Sequence, residues 1–256
     1  MSKSLLEPSL QSTAPWVRIH LRNSKQTVTM SLADRFAQYG ACDVSDALLK
    51  LKVPNAGLLP DIVMFSPERQ AGSTKIVGEA YTVKMVSKEE TDAPKLNIPG
   101  HYIDTVPANS VLFISAPRNQ VNAAFGGIMG ARAQYLGAVG AVIDGRIRDV
   151  SEHQSLGFPV FSRGTSTIGT GDQCKPSELD VPLCLNASGS NGKDVWINPG
   201  DVIVADLDGV VCCPKEKVEE VLELMPKLTA ADNKVMEDVK NGMSVAEAFK
   251  RHRGKL

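Results

Sequence analysis

The order of structural elements between residues 109 and 152 constrains this fold more than any other feature. An apolar run (NSVLFISA) is followed by a Gly126-Gly127 loop, a helical segment over Ile128 to Leu136 and a second apolar run (GAVIDGR). Short apolar runs bounded by Gly, Pro or Asn are typical of strands. The order strand, helix, strand predicts a right-handed parallel crossover in a mixed α/β protein. Such a crossover places the glycine loop and the turn after the second strand at the same edge of a sheet.

Three charged residues follow the second strand: Arg148, Asp149 and Glu152. Asp149 offers the oxygen ligand that Mg²⁺ or Mn²⁺ prefers, and Arg148 offers a fork of donors that matches a carboxylate. The backbone of Gly126 and Gly127 can approach a bound anion closely, and the start of the following helix favours negative charge. This pattern indicates a site for a metal-bound carboxylic acid. The same spacing also fits surface charges at a turn, so spacing alone does not decide between them.

Charge and cysteine usage exclude several classes of protein. The chain has 256 residues, 28 Lys and Arg, and 29 Asp and Glu, which gives a formal net charge of −1. No field of a single sign would therefore draw it to nucleic acid or to an anionic membrane. Its five cysteines show no C-x-x-C spacing, which favours reduced thiols over a disulfide framework or structural zinc. We expect a cytoplasmic protein with no nucleic-acid or membrane partner.

The two ends of the chain differ in character from its centre. Residues 1–29 are basic and rich in Ser, which faintly resembles a mitochondrial presequence; a disordered or packed extension is the alternative. We predict an N-terminal extension over 1–29 and one domain over 30–256, with a mitochondrial location as the alternative to the cytoplasm.

Further elements are expected on both sides of the crossover. Ser31 and Ser45 resemble the caps of two short helices. The runs IVGEAYTVKMV and PVFSRG predict two more strands, and Asp208-Gly209 predicts the turn of a late hairpin. Two charged helices are expected around Lys215 to Leu228 and Ala230 to Arg251.

The central motif resembles the RraA-like family. It consists of Gly127, twenty further residues, Arg148-Asp149, two further residues and Glu152, and the dipeptide lies between AVIDGRI and HQSLGFPVFSRG. The segments ACDVSDALL, VGEAYTVK and PGDVIVADLDGVVCCP are also similar to the family, so the resemblance runs from about Met30 to the C-terminus. The segments GGIMGARAQYL and GRIRDVSEH are most similar in sequence to the fungal members of the family.

The resemblance implies a fold and an assembly. The family contains class II 4-hydroxy-4-methyl-2-oxoglutarate aldolases with oxaloacetate decarboxylase activity, and it is named for a bacterial regulator of ribonuclease E. The implied architecture is a three-layer β/β/α swivelling domain with helical N- and C-terminal elements, assembled as a homotrimer or a hexamer.

The resemblance also implies roles for individual residues. Asp149 corresponds to the metal ligand, Arg148 to the substrate-binding arginine, and the loop of Gly126, Gly127, Ile128 and Met129 to the segment that binds the 2-oxo acid. Many bacterial aldolases of the family have an aspartate where this chain has Gly127. The family has a further acid that a neighbouring subunit contributes, and the resemblance does not match it to a single residue of this chain. Its candidates are Asp206, Asp208, Glu219 and Glu223.

These residues lead to a functional hypothesis. The chain is expected to be a lyase dependent on Mg²⁺ or Mn²⁺ that cleaves short 2-oxo dicarboxylic acids to pyruvate, through an enolate stabilised by the metal and by Arg148. Glu152 is the candidate for moving the proton. The motif lacks a dedicated Lys, which argues against a Schiff-base aldolase. The alternative is a non-catalytic trimeric regulator that binds a nuclease or another protein partner.

Four other residues are candidates for a role in the site or at the start of a helix. His153 is either functional, because it adjoins Glu152, or a turn residue. Arg118 follows the first strand of the crossover and is a candidate for a second carboxylate contact. Asp43 and Asp46 are expected to be charges at the start of a helix.

Overall fold

The computed structural model describes residues 30–185 and 194–254. The extension predicted over residues 1–29 lies outside the described residues. The helices are α1 Leu32–Arg35, α2 Ala41–Lys50, α3 Gly127–Tyr135, α4 Val150–Leu156, α5 Thr170–Gln173, α6 Val218–Lys240 and α7 Val245–His252. The strands are β1 Val63–Ser66, β2 Ile76–Ser87, β3 Ser110–Ser115, β4 Ala123–Phe125, β5 Gly140–Ile147, β6 Val160–Thr165, β7 Cys174–Leu179, β8 Leu183–Leu185, β9 Val195–Ile197, β10 Val202–Asp206 and β11 Gly209–Cys213.

Within the described ranges, nine strands form one curled sheet in the order β1-β6-β5-β3-β2-β10-β11, with β4 added to β5 and β7 added to β2. Strands β2, β3, β5 and β6 run parallel to one another and β4 runs parallel to β5, whereas β1, β7, β10 and β11 pair antiparallel with their neighbours. The predicted crossover from β3 through α3 to β5 is confirmed as a parallel connection between adjacent strands. The carboxyl ends of these strands therefore share one edge.

The apolar residues of β3 show why this strand is central. Val111 and Phe113 face one core, and Leu112 and Ile114 face another, because successive side chains of a strand point to opposite faces. All four are fully buried, as expected for a parallel strand that is covered on both faces.

Three cores divide the fold into layers. The first lies between the sheet and helices α3 and α4, and the second lies between the sheet and the small β8–β9 pair. The third packs α2 and α6 against β10 and β11. The expected mixed α/β fold in β/β/α layers, with helices at both ends of the described chain, is confirmed.

The helix starts agree only partly with the sequence. Ser31 caps α1 by accepting the backbone N–H of Asp34 at 3.1 Å. Ser45 does not cap α2; it lies inside the helix, and its hydroxyl donates to the carbonyl of Ala56. The start of α2 is held instead by Asp43, whose carboxylate accepts the N–H of Gly40 at 2.8 Å, as expected for a helix-start charge.

The predicted break near residue 229 is wrong, because α6 continues without interruption from Val218 to Lys240. Pro226 lies inside this helix, where it removes one backbone donor. The apolar stripe that includes Met225 and Val235 is buried on both sides of the proline, and this packing outweighs its cost. The helix ends where Gly242 adopts a positive φ of 94°, a common C-terminal signal.

The late hairpin is shifted by one residue from the prediction. Asp206 pairs with Gly209, so the turn residues are Leu207 and Asp208. None of the helices in the described ranges is both long enough and apolar enough to span a membrane.

Candidate active site

The glycine loop and the charged turn meet at the carboxyl ends of β4 and β5. These strands pair in parallel, so that Phe125 lies opposite Ile147, one residue before each loop begins. The N–H of Arg148 donates to the carbonyl of Phe125 at 3.0 Å. The N–H of Gly127 donates to Oδ2 of Asp149, also at 3.0 Å. The two halves of the sequence motif are thus joined by direct hydrogen bonds.

The backbone of Asp149 is left-handed, with φ 59° and ψ 42°. This conformation costs a residue with a Cβ about 1–2 kcal/mol, although Asp tolerates it better than most. Its carbonyl accepts the N–H groups of Glu152 and His153 and thereby starts α4. Strain of this kind persists where surrounding contacts fix it, and it is common at functional sites. The side chain of Asp149 is consequently aimed at the start of α3.

Arg148 is packed between two glycines. A Cβ on Gly126 would lie 3.1 Å from Nε of Arg148 and 2.7 Å from Oδ2 of Asp149. A Cβ on Gly169 would lie 3.1 Å from Nη1 of Arg148. Nε of Arg148 is also 3.3 Å from Oδ2 of Asp149, which forms a partly exposed ion pair. Any side chain at Gly126 would therefore disturb both charged groups.

Glu152 occupies the space of a missing side chain. A Cβ built on Gly127 would overlap Oε2 of Glu152. An aspartate at position 127 is thus incompatible with this position of Glu152. In this chain the carboxylate beside the start of α3 belongs to Glu152 of α4 and not to a residue of α3. Glu152 faces a cleft of about 460 Å³ that is also lined by Ile128, Ala131 and Leu156.

Arg148 and Asp149 line a different cleft, of about 470 Å³, together with Gly126, Ile128 and Met129. The sequence-predicted loop and turn are thus brought together, except that Gly127 and Glu152 line the neighbouring cleft. The other residues that line this cleft are not among the site residues predicted from the sequence. They are Lys88, His101, Tyr102, Gly169, Thr170, Gly171, Cys174, Lys175 and Pro176.

Lys88 could have been identified from the sequence, because it directly follows the strand IVGEAYTVKMVS and so belongs to the same edge of the sheet. Lys175 belongs to β7, a strand that the sequence analysis did not predict. Burial raises the pKa of Tyr102, so this hydroxyl stays neutral at physiological pH.

His153 is a core residue and neither lines the Arg148 cleft nor belongs to a turn. It is fully buried and stacks on Phe125, with 5.4 Å between ring centroids. Neither ring nitrogen has a hydrogen-bond partner among the described residues. Burial lowers the pKa of His153, and the Arg148 backbone and the Asp149 charge oppose this shift only in part. The imidazole is therefore neutral at physiological pH.

The remaining candidates lie away from the Arg148 cleft. Arg118 lines two other clefts, which it shares with Asp144. Asp206 accepts the N–H of Ala41, and Glu219 pairs with Arg35 at 2.6 Å. None of the four candidates for the neighbouring subunit's acid lines the Arg148 cleft of its own chain.

The donor set fits a hard, largely hydrated cation. Across residues 30–185 and 194–254, no three His, Cys, Asp or Glu side chains are grouped so as to hold a metal ion. A closed site such as structural zinc is thus inconsistent with the described residues. Mg²⁺ usually binds one or two carboxylates and retains several waters, and the half-buried carboxylate of Asp149 suits this mode.

Known proteins are similar to this chain in sequence and in fold. The model of the RraA-like family, described as Aldolase/RraA, matches residues 41–212. A Halalkalibacterium halodurans protein named "Putative 4-hydroxy-4-methyl-2-oxoglutarate aldolase" is 34% identical over 158 residues, which are 62% of this chain and 69% of that protein. Protein DlpA of Legionella pneumophila is 25% identical over 88% of this chain, but the chain spans only 32% of DlpA.

A solved structure supports the same relationship. An uncharacterised protein from Pseudomonas syringae pv. tomato superposes with a TM-score of 0.70 and 28% identity, covering 86% of this chain and 97% of its own. Its likeness extends over most of the described fold. Since the family model also matches well over half of the sequence, this chain belongs to the RraA-like family.

Proposed function

We propose that this protein is a divalent-metal-dependent carbon–carbon lyase that releases pyruvate from short 2-oxo dicarboxylic acids. Its substrates would be oxaloacetate, by decarboxylation, and 4-hydroxy-4-methyl-2-oxoglutarate, by retro-aldol cleavage. One observation carries the proposal: Arg148 and Asp149 are fixed side by side at the end of a cleft rich in cations. The name of the Halalkalibacterium relative supports the same chemistry.

Asp149 would hold Mg²⁺ or Mn²⁺, and the bound cation would supply Lewis-acid stabilisation of negative charge on the 2-oxo oxygen of the substrate. The hydrogen bond from Gly127 orients the carboxylate of Asp149. Because the Asp149 carboxylate accepts the N–H of Gly127, this N–H would position the metal ligand and would not bind the substrate.

Arg148 would bind the substrate's C1 carboxylate and stabilise the charge that develops as the C–C bond breaks. The N–H groups of Ile128 and Met129 belong to the first turn of α3, where backbone donors lack partners within the helix. They would complete the binding of the C1 carboxylate. Both residues line the cleft.

Both reactions break the bond between C3 and C4. In decarboxylation, C4 leaves as CO₂, the electron pair passes to C3 and the 2-oxo group, and a proton is added at C3 to give pyruvate. In the retro-aldol reaction, the C4 hydroxyl loses its proton and becomes the carbonyl of a second pyruvate. Glu152 is our candidate for transferring the proton, because its carboxylate lies at the start of α3.

We include a homotrimer, or a hexamer, in this proposal. The cleft beside Glu152 is largely apolar, and the side chain of Ile128 is 73% exposed in the single chain. A neighbouring subunit would cover this face and bring its own acid towards the site.

Pyruvate formation from both substrates tests the proposal. We expect turnover with Mg²⁺ or Mn²⁺ above a protein-free control, which is needed because free divalent metals decarboxylate oxaloacetate. Arg148→Ala and Asp149→Asn should each remove at least about 99% of it. Asp232→Asn is the matched control, since it removes a similar ion pair, with Arg253, away from the cleft. Oxalate with Mg²⁺ should also raise the Tm of the wild type but not that of Asp149→Asn.

The competing function is that of a non-catalytic regulator that binds a nuclease or another protein. The description of the family as Aldolase/RraA covers both kinds of member. A pure interaction surface has no chemical need for a strained Asp149 beside a paired arginine. Wild-type turnover equal to the protein-free control on both substrates, without stabilisation by oxalate, would favour the regulator.

A further inference from the structure

We propose that Lys88 and Lys175 form a second carboxylate subsite in the Arg148 cleft and make it selective for 2-oxo acids that carry a distal carboxylate. This inference rests on the proposed function for the reacting end of the substrate, which Arg148 and Asp149 would bind. It adds the residues that would recognise the other end.

Strand pairing fixes the backbone of both lysines. β2 pairs antiparallel with β7, with Ser87 opposite Cys174 and Val86 opposite Lys175. Lys88 directly follows the last residue of β2, and its N–H donates to the carbonyl of Gln173 at 2.9 Å. The two lysines therefore stand at the end of one strand pair.

Arg148 and Asp149 line the same cleft from a different strand. They follow β5, which is separated from β2 in the sheet by β3. β3 is shorter than either neighbour: it ends at Ser115, opposite Lys84 of β2, and β2 continues for three more residues. The lysines therefore enter the lining of the cleft from the β2–β7 pair, and the Arg148-Asp149 pair enters it from the end of β5.

The charges that line the cleft are unbalanced. Arg148, Lys88 and Lys175 are cationic, and Asp149 is the only Asp or Glu among the lining residues. Because Asp149 is paired with Arg148, the two lysines have no acidic partner within the cleft. The ammonium of Lys175 donates to the carbonyl of Glu90 at 3.0 Å, which uses one of its three N–H groups and holds it in place.

Two other polar groups that line the cleft, the thiol of Cys174 and the hydroxyl of Tyr102, carry no negative charge. The carboxylate of Glu90 is not part of the lining and accepts the N–H of Ser87 at 3.2 Å. Burial raises the pKa of Cys174, although the Asn122 amide and the Lys88 charge oppose this, so the thiol remains protonated at neutral pH. Tyr102, whose pKa is also raised by burial, stays neutral and able to donate. This end of the cleft thus presents positive charge and a neutral hydroxyl, which are the groups that bind a carboxylate.

A matched pair of ligands tests the subsite. 2-Oxoglutarate and 2-oxopentanoate share the 2-oxo acid head and the chain length, and differ only in a terminal carboxylate or methyl group. Calorimetric titration of the full chain with Mg²⁺ should show that 2-oxoglutarate binds at least about tenfold more tightly. Raising the NaCl concentration should reduce this preference, because ion pairing is screened.

Two variants with one control assign the preference to the lysines. Lys88→Met and Lys175→Met remove a charge at nearly constant length. In the double variant the two ligands should bind with nearly equal Kd, and the Kd of 2-oxopentanoate should stay within about twofold of the wild type. Lys227→Met, on the exposed face of α6, should retain the full preference.

The outcomes separate this inference from the proposed function. Equal binding of the two ligands by the wild type, or a preference that survives in the double variant, would overturn the lysine subsite and leave the lyase proposal standing. Binding of neither ligand, together with no turnover of oxaloacetate, would overturn both. If the double variant does not fold, the single variants Lys88→Met and Lys175→Met decide the matter: each should reduce the preference, and a preference unchanged in both would overturn the lysine subsite.

Discussion

Two clefts of nearly equal volume, about 470 and 460 Å³, flank the start of α3 and differ in chemistry. The first contains Arg148, Asp149 and two lysines, whereas the second is mostly apolar and has Glu152 as its only charged lining residue. The start of one short helix thus borders both a cleft suited to an anionic ligand and a mostly apolar cleft suited to another subunit, and Ile128 lines both. The glycines at its start, Gly126 and Gly127, let a carboxylate approach from each side.

The largest effect is expected from Gly127→Asp, which places a side chain in the space that Glu152 occupies at the start of α3. The new side chain would overlap the carboxylate of Glu152 and add a like charge. We expect kcat/KM for oxaloacetate to fall at least about 100-fold, because small displacements of catalytic groups have effects of this size. Steady-state pyruvate formation measures it.

A second substitution distinguishes steric overlap from general damage. Glu152→Ala, added to Gly127→Asp, removes the overlap and should recover most of the lost activity, since the new aspartate then supplies the carboxylate. Ala230→Asp is the control: it adds a negative charge on the exposed face of α6, away from both clefts, and should change the rate less than about threefold. If the double variant recovers no activity, an aspartate at position 127 does not replace the carboxylate of Glu152.

The next largest effect is expected from Gly126→Ala, which tests whether the site has space for a side chain at this position. An alanine there places a Cβ 2.7 Å from Oδ2 of Asp149, so the carboxylate must shift. We expect a loss of about 10–100-fold in kcat, with little change in Tm. Gly171→Ala in the same cleft is the matched control, because a Cβ at that position meets nothing within 4 Å. Equal effects of both alanines would show that the fit at Gly126 is unimportant.

The apolar side is tested by Ala131→Asp. Ala131 is exposed on α3 and lines the Glu152 cleft but not the Arg148 cleft. A charge buried without a partner at a subunit interface is destabilising by several kcal/mol, so we expect the assembly to dissociate. Light scattering after gel filtration would report a fall in molar mass. Ala230→Asp, exposed on α6, should leave the molar mass of the wild type unchanged.

The sequence predicted the centre of this molecule better than its periphery. The crossover, the glycine loop and the Arg148-Asp149 turn were predictable because a local pattern determines each of them. Lys175 was not identified, because its strand β7 reads CKPSEL and has neither apolar alternation nor β-branched residues. The continuation of α6 through Pro226 depends on burial against α2, which no local pattern shows.

The position of Glu152 shows the same limit. Its spacing from Asp149 is visible in the sequence, but its approach to Gly127 depends on how α4 packs against α3. The likeness of the motif to fungal members of the family stays a prediction, and so does the extension over residues 1–29.

The smallest effect concerns His153, which lies beneath α3 and packs against Gly130 and Phe125. Burial lowers its pKa in the folded chain below the ordinary value of 6.5. The unfolded chain therefore takes up a proton first as the pH falls, and the folded state loses stability below about pH 6.5. The loss has a slope of at most about 1.4 kcal/mol per pH unit.

His153→Phe removes this titration while keeping a ring on Phe125. Urea unfolding with EDTA at pH 7.5, 6.5 and 5.5 should show the variant gaining stability relative to the wild type as the pH falls. A difference that stays constant over this range would mean that His153 does not titrate there. The expected trend would instead show that the imidazole is buried in its neutral form beneath α3 in the folded chain.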